Sequence, residues 1–273
     1  MKSFQQKFAR WLYGVIVRTI APIAEDIGAM RSTVPGNPLY AHSARFFSQN
    51  DEDGLLLEII RRLRLEHGTF LELGVGNGLE NNTLILLAAG WNGAWLGGPG
   101  LAFAPTGRLS FVQDWITREN IVDLATRALA GVGRSVADVS VASIDLDGND
   151  FHFLKALLEG GLAPRILVVE YNAKFPPGIP FVMDYAADHR WISGSDYFGA
   201  SLTSWDGLLS PRGYRLVACN QTGVNAFFVR DAGDSFADIP TELTSLFAIG
   251  THRPFRRSGW TSSPRTVEQF IRE

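Results

Sequence analysis

Hydrophobic and polar positions alternate along this chain at two different spacings, and the changes of spacing mark the predicted elements. Residues 51–68 repeat apolar side chains every three or four positions, which predicts an amphipathic helix with Gly68 near its C-terminal cap. Downstream, short apolar runs alternate with helical patterns, as expected for a parallel sheet that is covered by helices. The predicted strands are 69–73, 94–96, 109–113, 139–146 and 165–171, and the predicted helices are 81–89, 118–130, 151–159 and 202–209.

The last two apolar runs, 213–220 and 223–230, are separated by a short polar turn, which predicts an antiparallel hairpin. Together these patterns predict an α/β fold: a Rossmann-like, doubly wound, mostly parallel seven-stranded sheet with a C-terminal antiparallel hairpin. The predicted domain spans residues 48–230. Its long segment 172–200 is too long for an ordinary connection and is expected to form an insertion on the substrate side.

The two ends of the chain lie outside this pattern. Residues 1–47 are predicted to form an amphipathic helix and a linker, with Phe4, Phe8 and Trp11 on the apolar face of the helix. That face suits packing on the domain or on a partner subunit, and contact with a membrane surface is the alternative. Residues 231–273 show little periodicity and are expected to wrap the domain or contact another subunit, so a homo-oligomer is compatible with the sequence.

Composition narrows the classes of partner. The formal net charge of -3 and the pI near 6.0 argue against a nucleic-acid partner, because such proteins usually carry a basic surface. Cys219 is the only cysteine, so an intramolecular disulfide is excluded and a reducing, cytoplasmic compartment is favoured. No apolar run approaches the roughly 20 residues of a membrane span, which leaves the N-terminal helix as the candidate for peripheral membrane contact.

A glycine-rich segment follows the first predicted strand. It reads "ELGVGNG" from Glu72, with Gly74, Gly76 and Gly78 at alternate positions. Ligands of doubly wound sheets bind beyond the carboxyl ends of the strands, and glycines there allow positive φ and direct contact with backbone. The spacing differs from the G-x-G-x-x-G pattern that is typical of dinucleotide sites.

This segment resembles motif one of class I S-adenosylmethionine-dependent methyltransferases. Six segments, taken in their order along the chain, resemble a bacterial branch related to FkbM-type methyltransferases. Proteins of this branch are often associated with glycan modification. The segments are 48–54, 70–83, 143–151, 168–177, 196–202 and 223–229. The resemblance covers about residues 48–230. It implies S-adenosylmethionine as the cofactor and a saccharide or other small hydroxylated molecule as the substrate.

The resemblance also implies the cofactor-binding residues. The loop Gly74, Gly76, Asn77 and Gly78 would pass under the cofactor, and Glu72 would help to orient its amino group. Asp114 lies where the family often contacts the edge of the adenine, and Trp115 would cover the adenine face. The family usually ends its second strand in an acid that binds the ribose, but this chain has Gly97 there.

Acidic and amide side chains end two neighbouring predicted strands. Asp145 follows the fourth strand, and Glu170 and Asn172 follow the fifth, so their oxygens are expected at one rim. Such oxygens can hold Mg²⁺ or another divalent cation, and the resemblance favours Asp145, Glu170 and Asn172 as its ligands. Alternatively, one carboxylate acts as the general base that removes the proton of the acceptor hydroxyl. His189 is a further candidate for that base.

The insertion is rich in aromatic residues. Its rings at Tyr185, Trp191 and Tyr197 could stack on a sugar, while Asp196 and Ser201 could bond to its hydroxyls. We therefore predict an O-methyltransferase that acts on a saccharide or another hydroxylated small molecule. Two alternatives stay open at this point: a non-catalytic binding or assembly protein with this fold, and a glycosyltransferase that uses the D-x-D pattern at residues 145–147.

Overall fold

The seven predicted strands form one mixed sheet in the computed structural model, which describes residues 36–105, 107–191, 195–248 and 264–272. The strands are β1 Thr69–Leu73, β2 Asn92–Gly97, β3 Leu109–Gln113, β4 Val139–Ile144, β5 Ile166–Glu170, β6 Tyr214–Cys219 and β7 Asn225–Arg230. Their order is β3-β2-β1-β4-β5-β7-β6, and neighbours run parallel except that β7 is antiparallel to β5 and β6. The predicted architecture is confirmed.

The described helices are α1 Glu52–Leu63, α2 Leu84–Ala88, α3 Ile121–Ala130, α4 Asp150–Glu159, α5 Leu202–Leu209, α6 Leu243–Leu246 and α7 Pro264–Arg272. Strands β1 and β5 are buried at every position, which explains their continuous apolar runs. None of the described helices combines the length and the apolar character that crossing a bilayer requires.

Helix α1 ends earlier than its apolar spacing predicts. The cap is Arg64, whose φ of 55° lies in the left-handed region, and its N–H bonds back to carbonyls of the last turn. Gly68 instead stands next to β1, where a Cβ would lie 2.5 Å from the Trp91 ring. The cap prediction for Gly68 is therefore wrong, because tight packing against Trp91 accounts for this glycine.

The order of the strands reverses between β1 and β4. The chain moves outward from β1 to β2 and β3, and then returns to place β4 on the other side of β1. In doubly wound sheets, ligands bind in the crevice beyond the carboxyl ends of the strands at this reversal. The residues that follow β1, β4 and β5 therefore reach one common rim.

Both ends of the described chain pack on this domain. Leu39 and Tyr40 are buried, and the Tyr40 hydroxyl donates to the Leu246 carbonyl at 3.3 Å. Helix α7 lies in the C-terminal tail, where the sequence shows little periodicity. The hydroxyl of Thr266, a residue of this helix, donates to the buried carboxylate of Asp196 at 2.8 Å. The predicted N-terminal amphipathic helix lies outside the described residues.

Candidate active site

Bare backbone lines the turn after β1. Gly74, Gly76 and Gly78 have φ values of 86°, 51° and 83°, a region that side chains disfavour. A Cβ at Gly74 would lie 1.6 Å from the carbonyl oxygen of Asp145, so this glycine lets the loop pass directly against the end of β4. A Cβ at Gly76 would meet nothing within 4 Å. The loop therefore presents backbone to open space that a ligand can enter.

Two cavities meet at this loop. Their volumes are about 640 Å³ and about 270 Å³. Four residues line both of them: Gly74, Gly76, Asp145 and Asp147. The glycine loop and the first acidic residues after β4 thus form the boundary between a larger and a smaller compartment.

Glu72 lines the larger cavity, but its carboxylate also organises the chain. It accepts hydrogen bonds from the Asn82 N–H at 2.9 Å, the Thr83 N–H at 3.0 Å and the Thr83 hydroxyl at 2.5 Å. Burial raises the pKa of Glu72, while these donors favour its ionised form. Asn77 lines neither cavity. Its side-chain oxygen accepts from the Leu79 N–H at 3.1 Å and so shapes the turn.

The smaller cavity extends from the glycine loop to the ends of β2 and β3. Gly97 and Gly98 line it, at the position where the sequence resemblance led us to expect an acid. A Cβ at Gly97 would approach Val75 to 3.1 Å, so a longer side chain there would crowd the glycine loop. A Cβ at Gly98 would meet nothing within 4 Å, which makes this backbone accessible from the cavity.

Asp114, Trp115 and His189 complete the smaller cavity. Asp114 accepts the N–H of Trp115 at 2.7 Å, and the Trp115 indole donates to the Ala187 carbonyl at 2.8 Å. The guanidinium of Arg190 lies 4.9 Å from the Trp115 ring centre. His189 lies 3.2 Å from the Asp147 carbonyl oxygen and does not line the larger cavity. The insertion therefore covers the outer edge of the smaller compartment.

Three carboxylates converge where β4 and β5 end. Asp145, Asp147 and Glu170 each place one oxygen within 4.8 Å of the others. Burial raises the pKa of Asp145 and of Glu170 well above the usual range, and repulsion from neighbouring carboxylates adds to this effect. Burial also raises the pKa of Asp147. The cluster therefore favours a bound proton or a bound cation.

Asp150 holds the loop that carries this cluster. It accepts the N–H of Leu146 at 2.6 Å and the N–H of Gly148 at 2.8 Å, which helps Asp147 to adopt a φ of 58°. Burial raises the pKa of Asp150 to about 6. The Asp147 N–H in turn donates to the Glu170 carboxylate at 3.2 Å, so this bond joins the loop after β4 to the end of β5.

Asn172 lies outside the cluster. Its amide nitrogen donates to the carbonyls of Asp196 at 2.9 Å and Phe198 at 3.0 Å, and its oxygen accepts the Lys174 N–H at 3.2 Å. The structure thus brings Asp147 to the two predicted carboxylates, while the amide of Asn172 fastens the insertion to β5.

The residues predicted to contact substrate are distributed over several environments. Trp191 lines the larger cavity and is 44% exposed. The Tyr185 hydroxyl donates to Glu119 at 2.8 Å, and Tyr197 donates to the Asp184 carboxylate at 3.0 Å. The buried carboxylate of Asp196 pairs with Lys174. Ser201 caps α5 by accepting the Ser204 N–H at 3.2 Å. Of these five, Trp191 alone lines either described cavity.

Sequence reasoning missed the outer wall of the larger cavity. This wall comes from the segment before α1, from the first residue of α1 and from the hairpin, through Gln49, Asn50, Glu52, Thr222 and Asn225. The buried Glu52 carboxylate accepts from Asn50, Asn220 and Asn225 and thereby joins the two segments. Polar residues inside two of the motif segments, 48–54 and 223–229, were the signal that could have indicated this wall.

Asp53 holds the backbone of residues 46–48, which lead into the part of this wall that precedes α1. Its Oδ2 accepts the N–H groups of Phe46, Phe47 and Ser48 at 2.6–2.8 Å and the Ser48 hydroxyl at 2.9 Å. We expect Asp53→Asn to lower the free energy of unfolding by about 1–3 kcal/mol, because the amide oxygen lacks the charge that strengthens these four bonds and the new NH2 group would be buried where Oδ1 has no partner. Urea denaturation measures this loss. Asp123→Asn, at an exposed carboxylate, is the control, and equal stability of both variants would contradict the role of Asp53.

The chain was compared with known proteins. No protein-family model matches it, and no curated protein does. Similar solved structures include CalO1, a methyltransferase of calicheamicin biosynthesis in its SAH-bound form (15% identity, TM-score 0.36, 64% of this chain and 54% of that chain). This chain therefore spans about half the length of CalO1.

Two further similar structures are methyltransferases. One is the glycopeptide N-methyltransferase MtfA (19% identity, TM-score 0.36, 70% of this chain and 96% of that chain). The other is human N-acetylserotonin methyltransferase in complex with SAM (11% identity, TM-score 0.35, 79% of this chain and 68% of that chain). The strand order described above establishes the fold of this chain.

Proposed function

We propose that this chain is an S-adenosylmethionine-dependent O-methyltransferase that acts on a saccharide or another hydroxylated small molecule. The observation that carries the proposal is the junction of two cavities at the glycine loop and a carboxylate. Methyl transfer to a hydroxyl needs adjoining sites for donor and acceptor, with a proton acceptor where they meet. The two cavities and Asp145 between them match these requirements.

The smaller cavity suits the nucleoside part of the cofactor, which supplies an electrophilic methyl group when it is bound. Gly76 and Gly98 leave room for a ligand to contact backbone, as the empty positions of their hypothetical Cβ atoms indicate. Trp115 offers an aromatic face, and Asp114 offers carboxylate oxygens for ribose hydroxyls in a region where Gly97 carries no acid.

The larger cavity suits the acceptor. Asp145 lines both compartments, so an acceptor hydroxyl beside it also lies beside the donor compartment. Its raised pKa brings the carboxylate closer to the range in which general bases work efficiently at neutral pH. We assign Asp145 as the proton acceptor, whose basicity is raised first by burial and then by repulsion from Asp150 and Asp147.

A divalent cation such as Mg²⁺ is a second way to use the same carboxylates. Asp145, Asp147 and Glu170 fit a hard cation, which prefers several carboxylate oxygens close together. Such a cation would lower the pKa of the acceptor hydroxyl, so that the carboxylates would act as ligands and not as bases. The effect of a chelator on turnover separates the two roles, as described in the Discussion.

Calorimetric titration with S-adenosylhomocysteine tests the proposed function directly. We expect binding by the wild type and a loss of affinity of about tenfold or more in Gly76→Val, because a branched side chain would fill the open space that both cavities share. Gly133→Val is the matched control. Gly133 also has positive φ and open surroundings, but it lies before β4, on the side of the sheet where the parallel strands begin.

Four outcomes, from this titration and from companion stability and turnover assays, are informative. Absence of binding by the wild type would refute the methyltransferase proposal, and preferential stabilisation by a nucleotide sugar would favour the glycosyltransferase alternative. Equal loss of affinity in both valine variants would show that backbone strain, and not the cavity, explains the effect. Intact binding without turnover on any acceptor would favour a non-catalytic binding protein.

A further inference from the structure

Asn149 forms hydrogen bonds in both directions with one residue of the insertion. Its amide nitrogen donates to the Ala186 carbonyl at 2.7 Å, and its amide oxygen accepts the Ala186 N–H at 3.3 Å. The Asn149 side chain is 5% exposed, so these bonds are shielded from water. Ala186 begins a turn that ends at His189, whose N–H donates to the Ala186 carbonyl at 3.0 Å. One asparagine thus holds both backbone groups of the residue that starts the turn 186–189.

This use of the amide differs from what the position of Asn149 in the chain predicts. Asn149 immediately precedes α4, where an asparagine side chain usually accepts an N–H group of its own helix. The side chain makes no such capping bond, whereas the backbone carbonyl of Asn149 accepts the Phe153 N–H at 3.0 Å. The amide therefore serves the insertion and not the helix.

The two residues before Asn149 also bind the insertion. The His189 ring nitrogen Nε2 lies 3.2 Å from the Asp147 carbonyl oxygen, and the Gly199 N–H donates to the Gly148 carbonyl at 2.9 Å. A Cβ at Gly148 would lie 2.2 Å from the His189 ring, so this close approach requires glycine. The loop after β4 therefore holds the insertion at three consecutive positions.

These contacts join walls that serve different parts of the proposed reaction. Asp145 and Asp147, in the same loop as Asn149, line both cavities. Asn149 and His189 line the smaller cavity, and Trp191, two residues beyond the turn, lines the larger one. A displacement of the turn would therefore move the outer wall of the donor compartment relative to the carboxylates.

We propose, on the basis of the function proposed above, that Asn149 is a positioning residue for methyl transfer. It fastens the turn 186–189 to the loop that carries Asp145, so that the donor wall and the proton acceptor keep one arrangement. Correct placement of the reacting groups supplies a large part of the rate of such reactions, and small displacements are costly. Because its amide is bonded to Ala186 in both directions, Asn149 acts through the turn.

Two substitutions separate positioning from helix capping. Asn149→Ala and Asn149→Ser both remove the two bonds to Ala186, but serine caps helices as well as asparagine does. We expect both variants to bind S-adenosylhomocysteine about tenfold more weakly than the wild type in calorimetric titration, the factor that corresponds to the loss of one or two hydrogen bonds. Wild-type affinity in either variant would overturn the proposal, and in the serine variant alone it would identify a capping role.

Turnover separates positioning from simple binding. At saturating S-adenosylmethionine, we expect both variants to methylate a hydroxylated acceptor at least about tenfold more slowly than the wild type, because the donor wall and Asp145 no longer keep their relative placement. A higher KM for the donor with an unchanged kcat would show that the turn only binds the cofactor, and would overturn the positioning role.

Asn37→Ala is the matched control. Asn37 is 6% exposed, and its amide also bonds to backbone twice, donating to the Val217 carbonyl at 2.8 Å and accepting the Leu39 N–H at 3.0 Å. It lines neither described cavity. We expect this variant to lose stability in urea, as Asn149→Ala does, but to bind S-adenosylhomocysteine as tightly as the wild type. An equal loss of affinity would assign the effect to general destabilisation and overturn the proposal.

Hydrogen–deuterium exchange examines the turn without any ligand. Peptides that cover residues 185–190 should exchange about tenfold faster in both Asn149 variants than in the wild type, because the Ala186 N–H loses its acceptor. Peptides from the buried strand β5 should remain protected in all proteins. Unchanged exchange at residues 185–190 would show that Asn149 does not hold the turn, which would overturn the proposal.

The two proposals fail in different ways. If the wild type does not bind S-adenosylhomocysteine, the methyltransferase proposal is refuted and the positioning role falls with it, whatever the exchange experiment shows about the turn. If the wild type binds this ligand and the Asn149 variants bind it equally well, the positioning role alone is refuted.

Discussion

Asp145→Asn is expected to lower methyl transfer by about 10²–10⁴-fold, the usual contribution of a positioned proton acceptor. Asparagine has almost the same size, and the backbone carbonyl that packs against Gly74 is unchanged, so the glycine loop keeps its shape. Binding of S-adenosylhomocysteine, which lacks the sulfonium charge, should therefore change little. Loss of turnover with retained binding would identify a role in the chemical step.

The measurement is the rate of S-adenosylhomocysteine release with a hydroxylated acceptor that the wild type methylates. Asp123→Asn serves as the control and should retain the wild-type rate. Turnover by Asp145→Asn above about one tenth of the wild-type rate would argue against its role as proton acceptor. If EDTA abolishes the wild-type rate and Mg²⁺ restores it, the cluster acts as a cation site; if EDTA has no effect, Asp145 acts as the base.

Glu170→Gln is expected to make the protein more stable at pH 8, because it removes a buried carboxylate whose ionised form is unfavourable there. The folded-state pKa of Glu170 is raised, so between its unfolded and folded values the folded chain binds more protons than the unfolded chain. Stability therefore falls as pH rises through that window, and the ionised carboxylate is unfavourable above it. Glutamine removes this charge, and its side-chain oxygen can still accept the Asp147 N–H.

The expected gain at pH 8 is about 0.5–2 kcal/mol in the free energy of unfolding, the usual size of a single stabilising substitution. Urea denaturation between pH 4 and pH 8 should show that the variant loses less stability than the wild type as the pH rises. Glu119→Gln is a control of opposite sign, because the Tyr185 hydroxyl lowers the pKa of Glu119. A Glu170→Gln variant that is less stable than the wild type at pH 8 would contradict repulsion within the cluster.

Stability and the proposed chemistry make opposite demands on this cluster. Burial raises the pKa of Asp150 to about 6, in a loop that already carries two other acids. Acids in such positions destabilise the folded chain unless a proton or a cation accompanies them. The chemistry proposed for this cluster would account for an arrangement of acids that does not itself stabilise the fold.

Local patterns were sufficient for the architecture. Continuous apolar runs predicted buried parallel strands, and the short polar turn between residues 213–220 and 223–230 predicted the antiparallel hairpin. The glycines after β1 and the acids after β4 and β5 could be assigned to one rim, because parallel strands bring their carboxyl ends to the same edge of the sheet. Each of these inferences depends on neighbours in sequence or on a general property of the fold.

Other features depend on contacts between distant residues, and no local pattern encodes them. Glu52 meets Asn220 across 168 positions of sequence, and this contact builds the outer wall of the larger cavity. Asp147 joins the carboxylate cluster because its backbone turns to positive φ, whereas Asn172 is held by carbonyls of the insertion. The residue types near the rim could be read from periodicity and spacing. Which of them face the cavity depends on the packing of loops, since side-chain direction in irregular segments follows from long-range contacts.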